Sequence, residues 1–364
     1  MISFDPSEEQ QMIVNTASKL ATAEIRTAYR ECDETGEVPA ALVDLGWGLG
    51  LVSGGIPEEH GGGGGETSAL TGALLAEELA WGDLAIAMYI LCPSNLVIPL
   101  LECGSAAQRQ AYLPLFCSEV FKAASAALIE PRFDFDPLSP HTTATPDGGD
   151  YLLQGQKCYV PLAAEAEVLL VYAVEDGSVQ GFIVERGQKG LEIGEREKNM
   201  GIKALPTYEV ALNGCRVARS SRLGEAEGCH FPGLLDRSRV ALSAMAVGVA
   251  RAAYEYARDY ALQRQAFGEA IAQRQAIAFM LAEMAIEIDA TRLMTWEAAW
   301  RIDRGEDATR EASLVKAYAD DTAVTVTDRA VQILGGHGYI RDHPVELWLR
   351  NGRGFVTFDG MAMV

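Results

Sequence analysis

The feature that most constrains this chain is a change of hydrophobic period that occurs twice. Residues 1–120 read as helical, 121–228 as short β-prone runs, and 229–364 as long helices again. In the first zone Pro6-Ser7 opens a helix with Glu8 and Glu9 in its first turn. Met12, Ile13, Ala17, Leu20 and Ala21 then recur near a helical period. In the second zone the runs at Tyr151, Val168 and Phe182 are separated by Asp147-Gly148-Gly149-Asp150 and Asp176-Gly177, which are turn signals. This pattern predicts a small antiparallel β domain. In the third zone Val240 to Arg264 is apolar on most faces and predicts a central buried helix. Gln275 to Arg304 is amphipathic and ends at Gly305, and Asp307 to Leu334 stops at Gly335-Gly336. Helices, then strands, then helices predict segregated domains, mostly α with a central β domain, and argue against a Rossmann nucleotide site.

The charge balance narrows the partners. Thirty basic against 51 acidic residues give a net charge of −21, which repels phosphate backbones and excludes nucleic acid as an expected ligand. The apolar stretch Leu84 to Leu101 is interrupted by Pro93, Ser94-Asn95 and Pro99, so it predicts a buried helix, a turn and a second helix, with no membrane span. Met1 to Gln11 shows no basic and apolar leader pattern, and the seven cysteines contain no C-x-x-C pair. The expectation is a cytoplasmic protein with reduced thiols. With five histidines and no H-E-x-x-H, no metal site is expected. The run Gly61 to Gly65 lacks the Lys-Ser/Thr ending of a P-loop and is expected to be a flexible loop.

Four strings carry a resemblance. They are Ile56-Pro57-Glu58-Glu59-His60-Gly61-Gly62, Met200-Gly201-Ile202-Lys203-Ala204-Leu205-Pro206-Thr207, Arg264-Gln265-Ala266-Phe267-Gly268, and Gln332-Ile333-Leu334-Gly335-Gly336-His337-Gly338-Tyr339. The Arg-x-x-Phe-Gly and Gln-x-x-Gly-Gly-x-Gly pair, about 70 residues apart, is the most specific. Together they resemble the acyl-CoA dehydrogenase flavoproteins over nearly the whole chain. The resemblance implies a helical N-terminal domain, a middle β domain, a C-terminal four-helix bundle, and FAD as cofactor. It also implies an acyl-CoA substrate, tetramer formation through the C-terminal helices, and an electron-transfer flavoprotein as acceptor.

The same resemblance assigns residues. The family base follows an arginine by nine positions in a Tyr/Phe-Glu-Gly string; here Arg350 is followed by Phe358-Asp359-Gly360, so Asp359 takes that position. Aspartate withdraws the carboxylate by about 1 Å, and a displacement of that size can cost about a hundredfold in rate. The alternative base position reads Ser238, and Arg239 beside it fits the arginine near the active carboxylate. On the flavin side the family's Thr-Glu-Pro and Gly-Ser-Asp become Ile129-Glu130-Pro131 and Asp134-Phe135-Asp136. Its Trp-Ile-Thr becomes Tyr159-Val160-Pro161, where Tyr159 can stack but Pro161 offers neither hydroxyl nor N–H. The threonine after the base glycine is Met361. By contrast Arg264, Phe267, Gln332, Gly335 and Gly336, which would reach the diphosphate and adenine of a flavin held by a neighbouring subunit, are intact.

Groups donated across an interface are thus kept, while groups that hold this chain's own flavin are replaced. The pattern resembles one subunit of the heteromeric, two-plus-two acyl-CoA dehydrogenases. The alternatives are a homotetramer with Asp359 as base and a flavin-free scaffold or acyl-CoA-binding subunit. The stripe Ile277, Met280, Leu281, Met284 and Ile288 is expected to be core. The acyl pocket is expected between Leu84 to Leu101 and the side chains near Val240 to Ala244, with Met88 and Tyr89 able to limit its depth.

Overall fold

The computed structural model describes residues 6–65 and 67–364. Helix α1 (Glu8–Leu20) starts with a capping box, Ser7 and Gln10 each bonding the other's backbone N–H. It runs through one π-turn into α2 (Arg26–Thr35), which ends at left-handed Gly36. After α3 (Ala40–Gly48) comes α4 (Ala69–Gly82), whose first N–H groups are bonded by Ser68 and, from the far end of the chain, by Asp303. The apolar stretch forms α5 (Leu84–Leu91) and α6 (Ser94–Cys103), meeting at a 44° bend, and α7 (Ala106–Tyr112) follows. Among the described residues no single helix is long and apolar enough to cross a membrane.

The middle of the chain is one seven-stranded sheet. Its strands are β1 (Ala124–Ala127), β2 (Thr143–Asp147), β3 (Asp150–Pro161), β4 (Val168–Glu175), β5 (Ser178–Glu185), β6 (Leu191–Arg196) and β7 (Thr207–Ala218). Most pairings are antiparallel, as the turn signals predict. The exceptions are β1 beside β4 and a single contact of β2 with β4, both parallel. No hairpin makes these two pairings: β1 is joined to β4 through β2 and β3, so its direction is set by where the chain leaves the helical domain.

The last third is built on α8 (Phe231–Gln263), buried along most of its length. A two-residue hairpin, β8 (Gln265–Ala266) and β9 (Glu269–Ala270), leads to α9 (Gln275–Asp303) and α10 (Thr309–Leu334). The short α11 (Gly336–Tyr339) and α12 (Val345–Gly352) complete the bundle. Close packing of α8 on α4 depends on Gly248, where a Cβ would meet the Glu77 carbonyl at 2.3 Å. Met284 and Ile288 are core, as expected, with Ile277, Met280 and Leu281 half-buried. A second face of α9, carrying Phe279, Ile286 and Leu293 seven residues apart, is exposed beside Leu314 and Tyr318 of α10.

The glycine run differs from expectation. Successive N–H groups of Gly62 to Gly65 bond the carbonyls of Pro57, Ser53, Ile56 and Gly54, so the segment is a hydrogen-bonded turn. A Cβ at Gly62 would lie 2.1 Å from the Ile56 carbonyl oxygen, so the glycine serves close backbone approach.

All seven cysteines are free thiols and none is exposed. The β domain is pinned instead by one carboxylate. Glu130 is buried and accepts from Lys157 Nζ at 3.0 Å, Thr142 Oγ1 at 2.6 Å, the Thr142 and His141 N–H groups at 2.7 Å each, and Arg132 Nε at 3.2 Å. Burial alone would raise this carboxyl, but the Lys157 ammonium and the three donors from Thr142 and His141 hold it at about 2 against an ordinary 4.5. Its contribution to stability is therefore full above about pH 4.5 and lost as the pH falls toward 2. Glu130→Gln leaves the Lys157 charge buried without its partner and should cost about 3–5 kcal/mol in denaturant unfolding at pH 7. It should also flatten the fall in stability between pH 4.5 and 2.

Candidate functional site

The site begins where three parts of the chain meet on one acidic side chain. Asp33 of α2 is buried and takes a two-pronged bond from Arg350 of α12, Nη1 to Oδ1 at 2.8 Å and Nη2 to Oδ2 at 2.7 Å. Arg341 and Lys203 approach the same carboxylate at 3.1 and 3.9 Å. Arg350 also bonds Glu346 and the Met200 carbonyl of the β domain. Next to it, the Asn351 side chain accepts from the N–H of Ile202, whose φ is +45°, at 2.7 Å. Gly201 is required here, because a Cβ would meet the Arg350 carbonyl at 2.4 Å. The Met200 to Thr207 string is thus a docking strip for α12. Burial would raise the Asp33 carboxyl, but bonding to Arg350 and the charges around it hold it below the ordinary value.

Helix α12, oriented in this way, delivers the loop that carries Asp359. A 3-10 turn, Phe355–Thr357, precedes it. The Gly360 N–H donates to Ser238 Oγ of α8 at 3.1 Å, and Asn95 Nδ2 of α6 donates to the Met361 carbonyl at 3.1 Å. Asp359 Oδ1 and Asn95 Oδ1 are both buried and have no hydrogen-bond partner. Arg239, expected near the carboxylate, has its guanidinium on Ser313 of α10 at 2.8 Å; among the described residues it makes no ion pair with Asp359. A second pair lies behind the loop. Lys316 of α10 bonds the Phe355 carbonyl and both oxygens of Asp320. Burial pushes Asp320 up to about 6 against the pull of Lys316, and the charge of Asp359 adds to the rise.

The β-domain positions are taken up internally. Ile129 is buried in the main core and its carbonyl accepts from the Cys158 N–H. Phe135 packs between two hydrophobic clusters with the Arg132 guanidinium 5.8 Å from its ring centroid. Asp134 bonds Arg132 at 3.1 Å. Tyr159 sits at a register shift between β3 and β7 with φ of +51°, its N–H donating to Glu197. Pro161 ends β3, paired with Thr207. These positions supply packing and few free donors.

The other group stands free. Arg264 caps α8 with its side chain exposed, and among the described residues no carboxylate pairs with it. It lines a cleft of about 340 Å³ with Tyr260, Ile271, Ile333, Leu334, Gly336 and His337. Gln332 is exposed one turn before Gly336. The glycines divide by cause. Gly338 is packing, since a Cβ would meet the Val331 carbonyl at 2.4 Å, and Gly335 has φ of +58°; a Cβ at Gly336 would meet nothing. Phe267 and Gly268 form the hairpin tip with φ of +54° and +87°, and the Phe267 side chain is 96% exposed. A bulky residue at left-handed φ costs about 1–3 kcal/mol, and among the described residues the Phe267 ring meets the Arg274 guanidinium, 5.7 Å from its centroid. The cleft, with an idle guanidinium, a glycine open to close approach and no carboxylate among its lining residues, fits the diphosphate end of FAD. Ile129, Phe135 and Pro161 offer no side-chain hydrogen-bond donor.

Sequence reasoning missed Asn95, which it treated as part of a turn, although an amide inside an apolar run is the one available signal. It also missed Ser238, whose hydroxyl holds the loop that carries Asp359.

Comparison with known proteins agrees along the whole chain. Family models described as the N-terminal, middle and C-terminal domains of acyl-CoA dehydrogenase match residues 7–119, 125–215 and 232–363. The chain is 33% identical to the caffeyl-CoA reductase-Etf complex subunit CarC of Acetobacterium woodii, over 98% of this chain and 96% of that one. It superposes on butyryl-CoA dehydrogenase from Megasphaera elsdenii with a TM-score of 0.89 and 30% identity, covering 100% and 96% of the two chains. It superposes on the FAD complex of PigA with a TM-score of 0.90 and 27% identity, covering 99% and 96%.

The Asp33 junction predicts its own sensitivity. Asp33→Asn removes the two-pronged partner of half-buried Arg350 and leaves it the Glu346 carboxylate alone, which should cost about 2–3 kcal/mol in urea unfolding. A loss below about 1 kcal/mol would mark the junction as an ordinary surface pair.

Proposed function

The chain belongs to the acyl-CoA dehydrogenase family of FAD-dependent oxidoreductases acting on CH–CH bonds, and on that premise we propose that it is one subunit of an acyl-CoA dehydrogenase with a shared flavin site. In this reading Arg264, Phe267, Gln332, Gly335 and Gly336 complete the site of a flavin whose ring lies against another subunit. The observation that carries it is Phe267: an exposed aromatic at a left-handed hairpin tip, three residues after an arginine that pairs with no carboxylate among the described residues. The Arg274 guanidinium beside the ring leaves it 96% exposed, and a ligand in a neighbouring subunit would cover it. The partner is a second family member or a second copy of this chain. The exposed stripe Phe279, Ile286 and Leu293 on α9 supports such an assembly through the C-terminal helices. The domain divisions near residues 120 and 228 fall in this reading between the helical bodies and the sheet.

FAD, when bound, accepts the hydride that leaves the β carbon of the thioester. Arg264 orients its diphosphate with a planar fork. Ser238 and Asn95 fix the backbone on either side of Asp359, and in a chain that used its own base this loop would carry the carboxylate. The proton α to the carbonyl would pass to Asp359 Oδ1, the oxygen left free inside the site. That free oxygen is the observation favouring a second reading, in which this chain is a homotetramer with its own base. The electron acceptor in either case is an electron-transfer flavoprotein, the type of partner named for the Acetobacterium woodii relative.

The visible spectrum separates the readings. The shared site predicts a colourless chain when purified alone and a flavin band when it is purified with its partner subunit. In that assembly Asp359→Asn should leave flavin bleaching by acyl-CoA intact, because the base comes from the partner. A stoichiometric flavin band from the chain alone would overturn the shared site, and Asp359→Asn should then abolish bleaching. No flavin in any assembly would leave the chain as a scaffold.

A further inference from the structure

The cleft beside Arg264 contains a ladder of hydrogen-bonded rings that the proposed function does not use. Helix α8 presents Tyr256, Tyr260 and Arg264 at four-residue spacing, so the three side chains follow one another along one face. Two imidazoles from the segment after α10 meet the two hydroxyls. Tyr260 Oη lies 2.6 Å from His337 Nδ1, and Tyr256 Oη lies 2.8 Å from His343 Nδ1. The imidazole centroids are 5.4 Å apart, and His343 also meets the Tyr260 ring edge-on at 5.7 Å. His337 lines the same cleft as Arg264 and Gly336. Among the described residues nothing bonds its Nε2.

We propose that His337 is a second phosphate-binding group beside Arg264, held in that role by Tyr260. The ligand chemistry is a diphosphate, and the inference rests on reading this cleft as the anionic end of the cofactor site. With Nδ1 engaged by the Tyr260 hydroxyl, Nε2 is the nitrogen left to face a ligand. A neutral imidazole that accepts at Nδ1 carries its proton on Nε2 and donates there. The protonated ring donates at both nitrogens and adds a charge. Both forms present a donor to a phosphate oxygen, and the charged form binds it more tightly. The groups facing His337 are Tyr260 and Arg264 from α8 and His343 from the segment before α12; none is a carboxylate. The nearby hairpin carboxylate, Glu269, is engaged by Arg274 at 3.0 Å. In a chain of net charge −21, this concentration of unpaired basic nitrogen marks a place where an anion can be held. His343, one step further along the ladder, fixes the plane of its neighbour through ring contact.

The test is FAD affinity of the flavin-depleted assembly, followed by fluorescence quenching, with riboflavin as the probe that lacks phosphate. His337→Ala should weaken FAD binding roughly tenfold, the weight of one hydrogen bond to a charged group, and leave riboflavin binding unchanged. His337→Gln, which keeps a neutral donor and much of the volume, should recover part of the affinity. Tyr260→Phe should weaken FAD in the same direction by a smaller factor. If Arg264→Ala leaves FAD binding unchanged, the cleft is not the cofactor's anionic end and the underlying reading fails. If Arg264→Ala weakens FAD and both His337 variants match wild type, the present proposal alone is overturned. Equal losses for FAD and riboflavin would assign His337 a packing role and overturn it as well.

Discussion

The salt bridge between Asp33 and Arg350 is the constraint on which the rest of the site depends. One carboxylate on α2 fixes a planar guanidinium on α12, and that guanidinium in turn holds the Met200 carbonyl of the β domain. Three segments far apart in sequence share one charge pair, and its two-pronged geometry sets direction as well as distance. The Ile202 N–H on the Asn351 side chain and the glycine at 201 leave α12 no freedom to slide along the sheet. The nine residues from Arg350 to Asp359 are then a short lever with a fixed origin. Ser238 and Asn95 catch its far end from α8 and α6. A carboxylate with one unpartnered buried oxygen persists there because both flanks of its loop are held independently of it.

The two sides of the cofactor region obey different physics. On the β-domain side each departure from the family pattern is balanced within the chain. Ile129 adds to the core, Phe135 fills the space between two clusters, Asp134 pairs with Arg132, and Glu130 accepts from Lys157, Thr142, His141 and Arg132. On the α8 side costs are left unbalanced. Among the described residues Arg264 has no counter-charge, Phe267 sits exposed at a left-handed φ, and a Cβ at Gly336 would meet nothing. Folding alone removes such features or compensates them, so their persistence points to a ligand or a neighbouring subunit.

Much of this was legible in the sequence where one physical cause dominates. The apolar periodicity of Val240 to Arg264 gave α8, the Gly335-Gly336 stop gave the end of α10, and Pro93 gave the α5–α6 break, whereas Pro99, also expected to interrupt the stretch, lies inside α6. The departures at Ile129, Phe135 and Pro161 were readable against strings of specific spacing; that these side chains are taken up within the fold comes from the structure. What was not legible depends on long-range placement. The parallel pairing of β1 with β4 follows from where the chain enters the sheet, which no local turn signal records. The Gly61 to Gly65 run looked flexible because its carbonyl partners, from Ser53 to Pro57, become partners only through a fold-back. The exposed face of α9 at Phe279, Ile286 and Leu293 is hidden in a helix that is apolar on two sides. The Tyr260–His337 ladder joins α8 to a segment more than 70 residues later, and isolated histidines give no sign of it.

The central claim is that Arg264 and Phe267 of one subunit serve a flavin that lies against another. An experimental structure of the flavin-loaded assembly, at a resolution that separates the subunits at the flavin, tests it most directly. The account predicts the Arg264 guanidinium about 2.7–2.9 Å from a diphosphate oxygen of a flavin whose ring rests on a different chain. A flavin whose ring lies against Tyr159 of the same chain that supplies Arg264 would contradict it.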